Sequence, residues 1–288
     1  MIAVIGATGN TGRSVVKEMK ALGENPLCIV RNPDKAKDVL GADAKTAVAE
    51  ITDKGALANA LKGSDTVFMV TGHGPQVADQ QIGIIDAAKS AGVNFLVKVS
   101  GGKAVVRPDA ESAVFRSHYA VEEHLKKSGL KWCILRPGLF MQNSFTLAPM
   151  IKSDSKMVAP FPKNAPMCFI DVRDTGALGA QVAREPGKHA GKIYNFTGAK
   201  SNYEEFAKVF SEVLGRPVAY IAATLEQAEQ GMKSRNMPEW LIAHLLAVAR
   251  AGEKGAFAEE MTEPVREIVG RAPITLKQFV QDHKAMFA

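Results

Sequence analysis

Short apolar runs, each followed by a helical pattern, fill the first half of the chain. The runs Ile2–Ile5, Pro26–Val30, Thr66–Val70, Asn94–Val99 and Trp132–Leu135 predict strands, with a shorter one at Lys45–Val48. Between them, apolar positions recur at the helical period near Thr11–Ala21, Asp53–Leu61, Gln76–Ala91 and Glu111–Ser128. Gly23, Gly63, Gly92 and Gly129 each follow a helical stretch, at the position where a left-handed residue closes the last turn. The strand runs are continuously apolar, as expected of a sheet covered by helices on both faces. The pattern predicts an α/β fold with a Rossmann-type doubly wound parallel sheet.

After Pro137 the rhythm changes. Proline and methionine cluster between Pro149 and Met167 without a regular unit; a helix at Val172–Arg184 and a strand at Lys192–Phe196 then return. From Asn202 onward the pattern is mostly helical. This predicts a dinucleotide-binding domain of residues 1–149 plus 170–200. A smaller, mostly helical substrate-binding lobe would comprise residues 150–169 and 201–288. Met141, Met150, Met157, Met167, Met232 and Met237 suit either an adaptable pocket or ordinary core packing.

The chain's 288 residues are 46% hydrophobic, enough for one large core or a core and a smaller lobe. No apolar run approaches the ~20 residues of a membrane span. The opening Met1-Ile2-Ala3-Val4-Ile5 leads straight into glycines, so it reads as a buried strand and not as a signal peptide. Three cysteines in apolar runs (Cys28, Cys133, Cys168) suggest reduced, buried thiols and a cytoplasmic protein. The net charge of +6 changes the picture little, because Lys and Arg are interspersed with Glu and Asp along helices. Neither a nucleic acid nor a membrane is expected as partner, and nothing in the sequence fixes an oligomeric state.

Chemistry enters with Gly6-Ala7-Thr8-Gly9-Asn10-Thr11-Gly12, which directly follows the first strand and opens a helix. Gly6 permits the tight turn, Gly9 lets backbone approach a pyrophosphate, and Gly12 lets helix and strand pack closely. Amides at that helix start would point at phosphates, so Gly6, Thr8, Gly9, Asn10, Thr11 and Gly12 are expected to hold a dinucleotide. The second strand ends in Arg31, where an NAD-preferring site usually has Asp or Glu. A guanidinium there suits a 2′-phosphate, which makes NADP(H) the expected cofactor, with Lys35 and Arg13 as further cations. Ligands of open α/β sheets sit outside the carboxyl ends of strands. Val70, Thr71, Gly72, Val99 and Pro137 are therefore expected beside the cofactor. Ser100 is a candidate hydrogen-bond donor to a substrate carbonyl, and His73 is expected as a rim histidine. No metal is called for.

The chain resembles the NmrA-like branch of the atypical short-chain dehydrogenase/reductase family. The likeness rests on the Gly6–Gly12 loop, Val30-Arg31-Asn32-Pro33-Asp34-Lys35 and the stretch Ser128 to Gly138. Phe169-Ile170-Asp171-Val172-Arg173-Asp174 and Gly270-Arg271-Ala272-Pro273 extend it. The resemblance implies either an NAD(P)H-dependent reductase of quinones or dyes, or a non-catalytic NADP(H)-binding sensor. It also exposes a departure. Typical short-chain dehydrogenases carry Tyr-x-x-x-Lys as their proton-transfer engine; here the tyrosine slot falls on Val114 and the lysine slot on His118. Tyr119 lies one residue, about 100°, around the helix. A histidine in that slot resembles the quinone-reductase members, so His118 is expected to hold the nicotinamide ribose or supply a proton. Direct hydride transfer to a conjugated, apolar or aromatic small molecule tolerates loss of the tyrosine, and is the expected activity.

Overall fold

The computed structural model describes residues 1–258 and 262–288. The expected lobe range 201–288 thus includes residues 259–261, which lie outside the described part. The strands are β1 Ile2–Ile5, β2 Leu27–Val30, β3 Thr46–Val48, β4 Thr66–Met69, β5 Phe95–Val99 and β6 Lys131–Pro137. They continue with β7 Leu139–Phe140, β8 Lys156–Ala159, β9 Met167–Ile170, β10 Lys192–Phe196, β11 Ala199–Ser201 and β12 Ala219–Ala222. Seven of them form one sheet in the order β10-β6-β5-β4-β1-β2-β3, parallel throughout. The strand order reverses between β1 and β4, the switch point at which such sheets bind ligands. The expected Rossmann-type doubly wound sheet is what the chain forms.

The helices of the first half are α1 Asn10–Ala21, α2 Pro33–Leu40, α3 Lys54–Leu61, α4 Val77–Ser90 and α5 Ala113–Lys127. Alternate strand residues feed two cores. Val4, Cys28, Phe68, Val97 and Leu135 pack on the α1 side, while Ile5, Ile29, Val67, Leu96 and Ile134 pack on the opposite side. All four helix-ending glycines have positive φ, between 79° and 88°. The sequence pattern had not marked α2. Its start is nonetheless written locally: Asn32 accepts hydrogen bonds from the amides of Asp34 and Lys35, and Pro33 occupies the first helical position.

The second half holds α6 Ala148–Asp154 (after a 3₁₀ turn at Met141–Leu147), α7 Val172–Arg184, α8 Pro186–His189, α9 Tyr203–Leu214, α10 Leu225–Ser234 and α11 Glu239–Glu253. Here β8 and β12 pair in parallel, so the Pro- and Met-rich stretch does contain regular structure. A second core forms around Met157, Met167, Phe169, Phe206, Phe210, Phe279 and Phe287. Met141, Met157 and Met167 are fully buried there, and Met232 packs with Ile242 and Leu246 between α10 and α11. Met141, Met157, Met167 and Met232 therefore pack cores. Among the described residues no helix is long and apolar enough to cross a membrane.

Helices α1 and α7 lie side by side with almost no space between their backbones. A Cβ on Gly176 would stand 2.2 Å from Ser14 Oγ and 2.9 Å from the Ser14 carbonyl carbon. A Cβ on Gly12 would meet the Gly6 carbonyl oxygen at 2.1 Å. By contrast, a Cβ on Gly187 in α8 would meet nothing within 4 Å. Gly176→Ala is expected to lower unfolding stability by about 1–3 kcal/mol through overpacking. Gly187→Ala should be neutral or slightly stabilising. Urea titration of both variants checks the contrast; equal effects would show that the helix contact yields freely.

Candidate functional site

The carboxyl ends of β2, β1, β4, β5 and β6 are neighbours in the sheet, and they gather nearly every residue singled out above. Gly6 turns the chain with φ +78°, and a Cβ there would sit 1.9 Å from the Val70 carbonyl oxygen. That contact presses the β1 turn against the end of β4. Gly9 is the N-cap of α1 and supplies no side-chain cap. The first amides of α1 are thus left without a protein side chain to accept from them, the condition under which a helix start binds an anion. Thr8, Gly9 and Asn10 are exposed, while Thr11 and Gly12 are buried against the helix base. Arg31 and Lys35 are exposed at the end of β2 and the start of α2. Arg13 donates to Asn10 Oδ1 at 2.8 Å, beside a cavity of about 380 Å³ that Lys17, Gln142 and Arg173 also line. These features fit a dinucleotide: an open amide cradle at the loop, and cations at the end of β2.

A buried polar cluster occupies the ends of β5 and β6. Lys98 points from the middle of β5 toward α4 and α5 and has no solvent exposure at all. Its Nζ lies 2.9 Å from Gln81 Oε1, 3.1 Å from the Val99 carbonyl oxygen and 3.0 Å from His118 Nδ1. Gln81 Nε2 in turn donates to Thr71 Oγ1 at 2.7 Å. Burial pulls the Lys98 ammonium down to about 7; nearby Glu122 opposes that shift and Arg136 adds to it.

Glu122, fully buried on α5, accepts Arg136 Nε at 3.0 Å and Nη2 at 2.5 Å, and Ser100 Oγ at 2.6 Å. The carboxylate and guanidinium neutralise each other as a bidentate pair. The expectation that Ser100 would donate to a substrate carbonyl is corrected by this contact. Its single proton goes to Glu122, and toward a ligand the hydroxyl can only accept.

Three histidines converge on the same end of the sheet. His118 and Val114 share the buried face of α5, while Tyr119 is turned aside and half-buried. The His118 ring stands edge-on to that of His73 at 5.6 Å, and His73 lies 5.6 Å from His244 of α11. His73 is exposed as expected of a rim residue, yet it bridges the other two. Burial, with Lys98 and the two other histidines adding to it, holds His118 well below the usual imidazole range. His118 Nε2 is buried and has no hydrogen-bond partner among the described residues. Burial likewise pulls His244 down to about 4, and its Nδ1 lies 2.7 Å from Ser112 Oγ, the N-cap of α5. Arg250 Nε donates to Glu111 at 2.7 Å beside it, so α11 is tied to the start of the helix that carries His118.

Sequence reasoning passed over Lys98, Gln81, Glu122, Ser112 and His244. A signal existed for Lys98, because a lysine inside Phe95-Leu96-Val97-Lys98-Val99 contradicts a strand buried on both faces unless it has partners. Glu122 and Gln81 lie inside helical patterns and carry no such mark. His244 lies 132 residues from its partner Ser112, beyond any local pattern.

The model of the NmrA-like family matches residues 1–278. An NAD(P)H azoreductase of Xenophilus azovorans is 32% identical over 288 residues, covering 100% of this chain and 99% of its own. A (4-alkanoyl-5-oxo-2,5-dihydrofuran-3-yl)methyl phosphate reductase of Streptomyces griseus is 31% identical, covering 100% and 99%. The crystal structure of the NADPH-dependent quinone oxidoreductase of Escherichia coli, complexed with NADPH, superposes with a TM-score of 0.87. It is 26% identical and covers 98% of this chain and 99% of that one. With the glycine loop, the parallel sheet and a family match over almost its whole length, the chain belongs to the NmrA-like family.

Proposed function

We propose that the protein is an NADPH-dependent reductase that passes hydride to a quinone-like or other conjugated small molecule. One observation carries the reading: an open dinucleotide loop and a buried histidine with an unpartnered Nε2 share one end of the same sheet. Relatives named for azo, quinone and unsaturated-lactone substrates support the acceptor class. When bound, the dinucleotide supplies the hydride. The chain has to hold it, align an acceptor, keep water out and deliver one proton.

In this reading the amides of Gly6 to Gly12, with Thr8, Asn10 and Thr11, hold the pyrophosphate, and Arg31 with Lys35 holds the 2′-phosphate. Val70, Thr71, Gly72, Val99 and Pro137 border the nicotinamide half. His118 is the catalytic residue, its free Nε2 serving the acceptor or the nicotinamide ribose. Ser100 is a positioning residue that helps orient Glu122. Residues 1–149 and 170–200 form the cofactor domain, and residues 150–169 and 201–288 the substrate lobe. That lobe brings His244 over an apolar or aromatic acceptor next to Phe115, whose ring stands 5.2 Å from His244. We read the protein as cytoplasmic and as having no nucleic-acid partner.

NADPH is expected to bind at least tenfold more tightly than NADH, about 1.4 kcal/mol. Arg31→Asp should erase or reverse that order in calorimetry, and equal affinities in the unaltered protein would remove the role given to Arg31.

Mixed with NADPH and a simple naphthoquinone, the protein is expected to oxidise NADPH steadily. His118→Ala should lower kcat by about 10²-fold while leaving the preference for NADPH over NADH intact, whereas Tyr119→Phe should change little. Tight NADPH binding without turnover of any quinone, azo dye or enone would instead favour an NADP(H) sensor.

A further inference from the structure

We propose that the protonation state of buried Lys98 sets the tautomer of His118, so that Nε2 donates a proton when Lys98 is charged and accepts one when it is neutral. A charged ammonium has three N–H bonds and here meets three acceptors: Gln81 Oε1 at 2.9 Å, the Val99 carbonyl at 3.1 Å and His118 Nδ1 at 3.0 Å. His118 Nδ1 must then carry a lone pair, and the ring proton sits on Nε2. A neutral amine keeps two N–H bonds and gains a lone pair. The two carbonyl oxygens can only accept, so they take both N–H bonds. The lone pair falls to His118, whose proton must move to Nδ1 and leave Nε2 bare. This holds with Gln81 Nε2 donating to Thr71 Oγ1 at 2.7 Å; an amide flip, with Thr71 donating to Oε1 instead, would leave His118 in one tautomer across the range.

The surroundings favour the switch. The charged groups facing Lys98 are Glu122 of α5 and Arg136 of β6, which neutralise each other. His118 is on α5, and His73 and His244 stand behind it from the β4 loop and α11. Among the described residues no carboxylate is left over to hold the ammonium charged, and burial brings Lys98 to about 7. His118 is held neutral well below that pH, so its tautomer, rather than its charge, is what changes.

The proton's destination rests on the reductase reading; the coupling does not. Once a quinone has taken hydride, it is a hydroquinone anion. The His118 Nε2–H bond breaks as an O–H bond forms on that anion. A Lys98 N–H bond breaks as an N–H bond forms at Nδ1, leaving neutral Lys98 and a neutral imidazole with Nε2 bare. One hydride and one proton have then been added to the quinone. Nε2 recovers a proton from water after product leaves, and Nδ1 returns its own to Lys98.

The coupling is read without cofactor, by nitrogen-15 NMR of histidine-labelled protein, with His118 assigned through His118→Asn. Between about pH 5.5 and 9.5 the His118 signals are expected to pass from the Nε2–H to the Nδ1–H pattern. Lys98→Met should abolish the passage, and Lys98→Arg, charged throughout, should hold Nε2–H at every pH. With NADPH and quinone, kcat should fall about tenfold per pH unit above the same midpoint. In Lys98→Met it should be lower and flat, with the KM for NADPH unchanged. A single tautomer across the range, or a passage that survives in Lys98→Met, overturns the proposal. Should Lys98→Met fail to fold, the unaltered protein and Lys98→Arg decide it. A tautomer passage without turnover would sink the reductase reading and leave the coupling standing.

Discussion

A lysine with no solvent exposure, in the middle of the central sheet, governs how the polar cluster at the strand ends is arranged. Burying an ammonium is costly unless every N–H finds an acceptor. The chain meets that demand with one carbonyl of its own strand, one amide from α4 and one imidazole from α5. Those three contacts bind β5, α4 and α5 into one polar unit inside an otherwise apolar layer. A slip of β5 by one residue would turn Lys98 toward the α1 face, where Val4, Phe68 and Val97 offer it nothing. The lysine therefore fixes register as well as chemistry.

Glu122 makes this possible by being occupied elsewhere. Its two oxygens take Arg136 in a fork and Ser100 at 2.6 Å, so the carboxylate is matched by a cation other than Lys98. Had Glu122 paired with Lys98 directly, the ammonium would be held charged and His118 would keep one role. Instead Lys98 has only neutral acceptors and sits near 7. The start of α5 is held from outside by Ser112 and Glu111, which meet His244 and Arg250 of α11. Helix α11 thus bears on the same helix that carries His118.

The sheet and the phosphate loop were legible because their determinants are local. A Cβ on Gly6 or Gly12 would stand about 2 Å from a backbone oxygen at the end of β4 or in the loop itself, and such glycines announce themselves in sequence. Strand limits differed by a residue or two, where the apolar run outlasts the hydrogen-bond ladder, as at Pro26 and Val70. Helix α2 has the same kind of local signal, an Asn32 cap followed by Pro33 at the first helical position, which a reading by apolar period alone passes over. The polar cluster was illegible for the opposite reason: its members come from β5, α4, α5 and α11 and meet only after folding. Two stretches that carried the family resemblance have a structural explanation. Asp171 caps α7 and holds Arg173 and Gln142, and Asp174 holds Arg271 and the Ile274 amide. They anchor the C-terminal segment to α7 and say little about substrate.

In the reductase reading proposed above, Val114 and His118 in place of tyrosine and lysine suit the kind of anion that hydride transfer leaves behind. Hydride delivered to a ketone carbon creates a localised alkoxide, which needs a strong, well-placed acid as it forms. Hydride delivered to a conjugated acceptor creates an anion spread over the conjugated system, which a weaker donor can protonate after the fact. A neutral imidazole N–H is such a donor, but only if its proton is on the right nitrogen and can be replaced. An exposed histidine would lose that definition to water, and a histidine beside a carboxylate would be drawn toward its cation. Burial beside an ammonium does the reverse: it keeps the ring neutral and selects one nitrogen for the proton. The lysine of an ordinary short-chain dehydrogenase acts from α5; here the buried lysine acts from β5, behind the histidine that took the α5 position.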